Sequence, residues 1–311
     1  MGQDGQSQTV QAPGKAALVL TGGGARAAYQ VGVLKAVREM LPDPRRNPFP
    51  ILCGTSAGAI NAAALGCYAD DFGRAVGKLE YVWGNFTAGQ VYRADPAGIG
   101  LSGARWLSAL MFGWLGRHPP RSLLDNAPLR ELLQSSMNFE RIESQIDSGA
   151  LYALSITASG YQSGESIAFV EGHPEIEMWR RHQRASARAR LSVEHLMASS
   201  AIPFIFPATR VHREYFGDGS MRQQAPISPA IHLGAERILV VGCGQRHTGW
   251  PRNNDDSYPS LAQIAGHAMS SIFLDSLNVD LERIERINKT LSIIPDEIKL
   301  QHGMILRPLE T

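Results

Sequence analysis

The sequence predicts an α/β protein whose sheet contains neighbouring parallel strands, and three observations carry that prediction. A short apolar run, Ala16 to Leu20, stops at three consecutive glycines and is followed by apolar residues at three- and four-residue spacing. The same plan then repeats: Ile51 to Cys53 meets Gly54-Thr55-Ser56-Ala57-Gly58, and small and apolar residues at helical density follow. Only a Pro- and Arg-rich connector, residues 42–50, separates the two units. Two strand–loop–helix units in tandem argue for adjacent parallel strands with both loops at the carboxyl edge of one sheet.

Length and composition bound the rest. The 311 residues are 44% hydrophobic and 19% charged, enough apolar matter for one large core. We expect a disordered polar tail over residues 1–14 and a single domain over residues 15–311, mostly helical from about residue 255 onward. Lys and Arg total 30 against 29 Asp and Glu, so the net charge of +1 offers no electrostatic reason for a nucleic-acid partner. Cys53, Cys67 and Cys243 sit in apolar surroundings without Cys-x-x-Cys spacing and read as buried thiols of a reducing compartment. The start has neither the basic nor the apolar region of a secretory signal, and Gln6 stands where a myristoylation motif has Ser or Thr. No stretch approaches about 18 consecutive apolar residues. The expectation is a cytoplasmic protein that meets membranes only transiently and peripherally.

Taken in order, the first strand runs into Thr21-Gly22-Gly23-Gly24-Ala25-Arg26. Glycines ahead of a helix present backbone N–H groups with no side chain in the way, beside the positive end of the helix dipole, so this loop suits an anion. A nucleotide loop or a plain tight turn is the alternative, although the spacing fits neither G-x-G-x-x-G nor G-x-x-x-x-G-K-[ST]. Val31, Leu34, Val37 and Leu41 then mark a helix closed by Pro42. In the second unit, a G-x-S-x-G elbow sets Ser56 on a sharp strand-to-helix turn, and Gly54 and Gly58 suit close packing of strand on helix. The pentapeptide by itself also fits an ordinary Gly-rich turn.

A helix over residues 72–86 carries Leu79, Val82, Trp83 and Phe86 on one side. Further on, Trp106, Leu110, Met111 and Trp114 recur at helical spacing, either as a core stripe or, with Arg105 and Arg117 beside it, as a lid touching lipid through Trp106, Met111 and Trp114. Asp125 and Pro128 mark another helix start. Residues 151–157 and 166–170 form a hairpin, and the arginine-rich residues 175–190 read as a solvated face with a second use in attracting lipid phosphates. Ser192 caps a short helix through Ser199. Asp218, between Gly217 and Gly219 at the end of an apolar strand, can approach another loop of the same sheet edge; a simple turn residue is the plainer reading. Residues 223–233 form a connector and short helix, and Ile238 to Val241 a fully apolar strand. A polar loop over residues 245–259 precedes a helix packing on the sheet through Leu277, Leu281, Ile284, Ile287 and Leu291.

Four segments stand in the order and approximate spacing of patatin-like phospholipases: Gly22-Gly23-Gly24-Ala25-Arg26, Gly54-Thr55-Ser56-Ala57-Gly58, Ala198-Ser199-Ser200-Ala201-Ile202-Pro203 and Asp218-Gly219. The chain resembles that family over about residues 16–243. The resemblance implies a three-layer α/β/α fold and hydrolysis of phospholipid or glyceride esters without metal or cofactor. It also implies a Ser-Asp dyad in place of a catalytic histidine. Carried over, Ser56 is the nucleophile, Asp218 its base, and Gly22, Gly23, Gly24, Ala25 and Arg26 the oxyanion loop. The chain departs from the pattern at Ala27, where the family commonly has glycine, and at Ser220, where it often has glycine or alanine. Two other readings stay open: a conventional Ser-His-Asp esterase using His232, His247, His267 or His302, and a catalytically silent lipid-binding protein on the same fold.

Overall fold

Period-two alternation in the buried strands supplies two apolar faces, and a layer of helices covers each of them. The structure, a computed structural model, describes residues 15–93, 122–223, 225–243, 260, 263–264 and 276–293. Nine described strands form one sheet: β1 (Ala16–Leu20), β2 (Ile51–Thr55), β3 (Ala153–Gly160), β4 (Ser166–Gly172), β5 (Arg180–Arg181), β6 (Arg184–Arg188), β7 (Thr209–Val211), β8 (Glu214–Asp218) and β9 (Arg237–Val241). The described helices are α1 (Ala28–Met40), α2 (Ala57–Cys67), α3 (Phe72–Gly84), α4 (Ala127–Ser136), α5 (Arg141–Asp147), α6 (Val193–Ser199), α7 (Ser228–His232) and α8 (Ser276–Ile293).

The main strand order is β5-β6-β4-β3-β2-β1-β9. Its centre, β3-β2-β1-β9, is parallel, and β4 reverses against β3 as the predicted hairpin. Leu18, Leu20, Leu52, Leu154 and Ile156 face a core shared with α1 to α6. Ala17, Val19, Ile51, Cys53 and Ala153 face a second core closed by α7 and α8, the latter through Leu277, Leu281 and Ile284. This is the three-layer α/β/α arrangement.

Residues 175–190 present the solvated face that their charge suggests, with Arg180, Arg181, Arg188 and Arg190 exposed, and they also contain β5 and β6. Ala185 and Ala187 alternate with exposed or half-buried polar residues, and β6 pairs parallel with β4, so the alternation is that of a half-buried strand. Arg188 turns back on the chain and donates to the carbonyls of Gly172 and Ile176. At the start of α4 the cap position belongs to Asn126, while the Asp125 carboxylate accepts the N–H of Ala127 at 3.0 Å. The tail, the stripe holding Trp106, Met111 and Trp114, and the loop over residues 245–259 lie outside the described residues.

Candidate active site

Ser56 forms the whole turn between β2 and α2. Its backbone sits at φ 53° and ψ −127°, a conformation that costs an L residue on the order of 1–3 kcal/mol and persists only where the surroundings enforce it. The surroundings are rigid: every residue of β2 is buried, as is nearly all of α2. The Ser56 carbonyl opens the helix by accepting from Ala59 at 2.9 Å, and its N–H donates to Ser199 Oγ at 2.8 Å. Gly58 is required by close approach, since a β-carbon there would strike the carbonyls of Leu20 and Thr21 in the neighbouring strand and loop.

Asp218 reaches Ser56 through the pairing of β3. Along β3, Thr157 stands opposite Thr55 at the end of β2, and the next residue, Ala158, stands opposite Asp218 at the end of β8. β2 runs parallel to β3 and β8 runs antiparallel to it, so the two strands meet end to end on one side of β3. Ser56 and Asp218 are the residues at that seam. The Asp218 carboxylate is fully buried; Oδ1 accepts the Ser220 N–H at 2.9 Å, and Oδ2 makes no hydrogen bond among the described residues. Burial pushes the carboxyl from its ordinary 3.8 up to about 6, while the nearby Ser56 hydroxyl and both polar groups of Ser220 draw it back. The Ser56 hydroxyl is thus near enough to favour the anion without closing a hydrogen bond, as is common before substrate binds.

The glycine loop leans over the same seam. A β-carbon on Gly22 would lie 2.5 Å from Ser220 Oγ and 3.1 Å from Ser56 Cβ, so only glycine lets the loop come this near. Among the described residues, the N–H groups of Gly22, Gly23, Gly24, Ala25 and Ala57 make no hydrogen bond. The Arg26 N–H is engaged with the Gly23 carbonyl at 3.1 Å, and its side chain is exposed. Sequence reasoning missed the network that fixes this loop. Gln30 Nε2 donates to the carbonyls of Thr21 and Val241. Asn61 Nδ2 donates to Gln30 Oε1 and the Ala27 carbonyl, and Trp83 Nε1 donates to Asn61 Oδ1. The available signal was two amides on otherwise apolar helix faces, Gln30 beside Val31 and Asn61 among alanines.

A cavity of about 440 Å³ opens beside Ser56. Gly24, Ala25 and Ala57 border it with the serine, and Ile60, Leu79, Trp83, Leu133 and Phe206 are among its apolar walls. The α3 stripe predicted from spacing is therefore a cavity wall as well as core. One margin of the cavity is polar, where Tyr68 OH accepts from Lys78 Nζ at 2.8 Å.

Of the histidines weighed for a triad, His232 stacks on Trp179 at 4.8 Å, and His247, His267 and His302 lie outside the described residues. The buried His195, not weighed from sequence, accepts the Ser192 N–H and meets Phe169 edge-on, and burial lowers its pKa to about 4. No group of three or more His, Cys, Asp or Glu able to hold a metal occurs among the described residues. The three cysteines are buried free thiols, Cys53 and Cys67 pushed up to about 12 by burial.

Residues 18–231 match the family model described as patatin-like phospholipase. A cGAMP-activated phospholipase of Pseudomonas aeruginosa (strain BWHPSA011 / Pa011) is 27% identical over 218 residues, which are 69% of this chain and 55% of that protein. The chain thus spans about half the length of that relative. Among solved structures, VipD from Legionella pneumophila aligns with 66% of this chain and 46% of its own at 14% identity and a TM-score of 0.39. The type III effector ExoU of Pseudomonas aeruginosa aligns with 93% of this chain and 58% of its own at 16% identity and a TM-score of 0.34.

Proposed function

The chain belongs to the patatin-like phospholipase family, and from that premise we propose that it hydrolyses carboxylic esters of lipids through an acyl-Ser56 intermediate. The observation that carries this reading is the seam on β3, where a strained serine and a buried carboxylate meet at the border of an apolar cavity. An acyl chain lying in the cavity would bring its carbonyl carbon to Ser56 Oγ. As the hydroxyl attacks, Asp218 takes its proton, and the carbonyl oxygen becomes an oxyanion facing the free N–H groups of the glycine loop and Ala57. Each such preorganised donor is worth roughly 3 kcal/mol of barrier. Collapse of the tetrahedral species returns the proton from Asp218 to the leaving alcohol. Water then attacks the acyl carbon as Asp218 takes its proton, and collapse breaks the bond to Ser56 Oγ, returns the proton to that oxygen and releases the fatty acid.

A carboxyl held near 6 suits both halves of this cycle, being mostly ionised at neutral pH yet basic enough to accept a proton. Arg26 is assigned a lesser part, since its N–H is spent on Gly23 and only its charge can reach an anion. Activation by cGAMP belongs to the name of the relative, and only lipid ester hydrolysis is carried over from it. No described helix is long and apolar enough to cross a membrane; the proposal is that substrate is met at a lipid surface, with Trp106, Met111 and Trp114 as contacts. Turnover of a short-chain nitrophenyl ester by wild type and Ser56→Ala tests the reading. We expect Ser56→Ala to be inactive and folded; retained turnover would refute it. The fatty acids and lysolipids released from mixed phospholipids and glycerides would then name the substrate.

A further inference from the structure

The helix α6 carries more of the site than its apolar sequence suggests. Ser199 Oγ, fully buried, accepts the Ser56 N–H at 2.8 Å and donates to the Thr157 carbonyl at 2.6 Å. A hydroxyl has a single hydrogen, so with it committed to Thr157 the lone pairs are left for Ser56 and both bonds have a fixed sense. Two residues later the Ala201 carbonyl accepts the Asp218 N–H at 2.9 Å. Thr157 is the β3 residue opposite Thr55, and its neighbour Ala158 is opposite Asp218. Residues 199–201 therefore tie the elbow, the central strand and the Asp218 strand together at the one place where β2 and β8 abut.

We propose that Ser199 is a positioning residue for the reaction: its hydroxyl holds Ser56 in its left-handed backbone conformation and keeps Ser56 and Asp218 in register across the gap between β2 and β8. The inference rests on the Ser56–Asp218 reading above. The backbone at φ 53° has no steric preference of its own to keep it there. Without the hydroxyl, the Ser56 N–H and the Thr157 carbonyl would each lose a buried partner, and the elbow could recover one only by turning away from the seam. The same bond withdraws the Ser56 N–H from the groups that can meet an oxyanion, which leaves that task to the glycine loop and the Ala57 N–H. Ser199 touches neither substrate nor reacting atoms in this scheme; it acts through Ser56.

The test compares wild type, Ser199→Ala, Ser199→Cys and Ser199→Thr in the full chain on a short-chain nitrophenyl ester, with Ser56→Ala as control. The Ala and Cys variants should lose about tenfold to a hundredfold in kcat, the scale of one buried hydrogen bond that fixes geometry. KM should hold within about twofold, the split expected when bound substrate is unaffected. Labelling of Ser56 by a fluorophosphonate should slow in parallel, and Ser199→Thr, which keeps the hydroxyl, should recover most of the rate. Wild-type kcat in the Ala and Cys variants, or a Thr variant as slow as Ala, would overturn the inference. So would a rate loss that merely follows melting temperature across the three variants. Should Ser199→Ala not fold, the nearly isosteric Cys variant decides by the same criteria. Activity that survives Ser56→Ala would sink the hydrolase reading and this inference together, whereas a Ser56-dependent enzyme indifferent to Ser199 sinks this inference alone.

Discussion

The two strand–loop–helix units that open the described chain share a plan and put it to opposite uses. In the first, β1 runs into a loop in which the N–H groups of Gly22 to Ala25 make no hydrogen bond among the described residues, and the following α1 is half exposed, with Tyr29 at 65% and Met40 at 75%. In the second, β2 turns within a single residue into α2, of whose residues only Ile60 is not buried. The contrast fits the part proposed for each. Donors for a developing anion must be free of other partners, and a loop at the rim of a helix leaves them free at little cost. A nucleophile held in a disfavoured backbone conformation needs surroundings that cannot relax, which only the middle of the sheet provides.

Breaking the second unit should cost most. Ser56→Ala removes the attacking atom and should lower kcat by about four orders of magnitude or more, as loss of a nucleophile does elsewhere; circular dichroism should show the fold retained. Its partner gives the sharpest contrast between activity and stability. Asp218→Asn should lose nearly as much activity, yet raise the melting temperature at pH 8. The folded-state pKa of Asp218, about 6, lies above its ordinary 3.8, so the folded chain holds that proton more tightly. The resulting stability is complete below the ordinary value and is lost as pH rises through about 6, leaving the buried anion at roughly 3 kcal/mol. The gain from Asn should therefore be mostly gone at pH 4. A lower melting temperature for Asp218→Asn at pH 8 would contradict the burial argument. The same group predicts that kcat/KM climbs about tenfold per pH unit below pH 6 and levels above it.

Breaking the first unit should cost less and leave stability alone. Gly22→Ala presses a methyl group onto Ser220 Oγ and Ser56 Cβ and pushes the donor loop off the seam, with kcat falling about a hundredfold, the scale of one lost oxyanion donor. Gly58→Ala should behave in the opposite sense. Its methyl meets backbone of β1 and the loop, so urea unfolding should show about 1–3 kcal/mol lost, with activity following the folded fraction. If Gly22→Ala instead destabilises and Gly58→Ala leaves stability unchanged, the division of labour between the units is wrong. The smallest effect belongs to the relay that joins them. Trp83→Phe deletes the donor to Asn61 and should cost about 1 kcal/mol with a minor change in kcat.

Much of this was legible along the chain because it is decided by near neighbours. Apolar runs ending in glycine, the serine turn, the hairpin around Gly164 and the capped helix ending at Ser199 depend on residues within a few positions of one another, and each formed close to where the spacing placed it. The order of the motifs also named Ser56 and Asp218, but nothing local could say how they meet. Asp-Gly is an ordinary turn dipeptide, and Asp218 can be proposed as a partner for Ser56 only because β2 and β8 end on consecutive residues of β3. Arginine-rich residues 175–190 do present a solvated face, but the strand within them was not legible for a related reason: whether an alternating segment pairs as a strand depends on an edge being available, here β4. Ser199 looked like the end of a helix until its hydroxyl was found between the elbow and Thr157. Sequence by itself determined the local elements and which polar groups stand on them, since covalent spacing and steric preference act over a few residues. Only the tertiary structure decided which of them share one seam, because strand pairing joins residues far apart in the chain and their hydrogen bonds have no local counterpart.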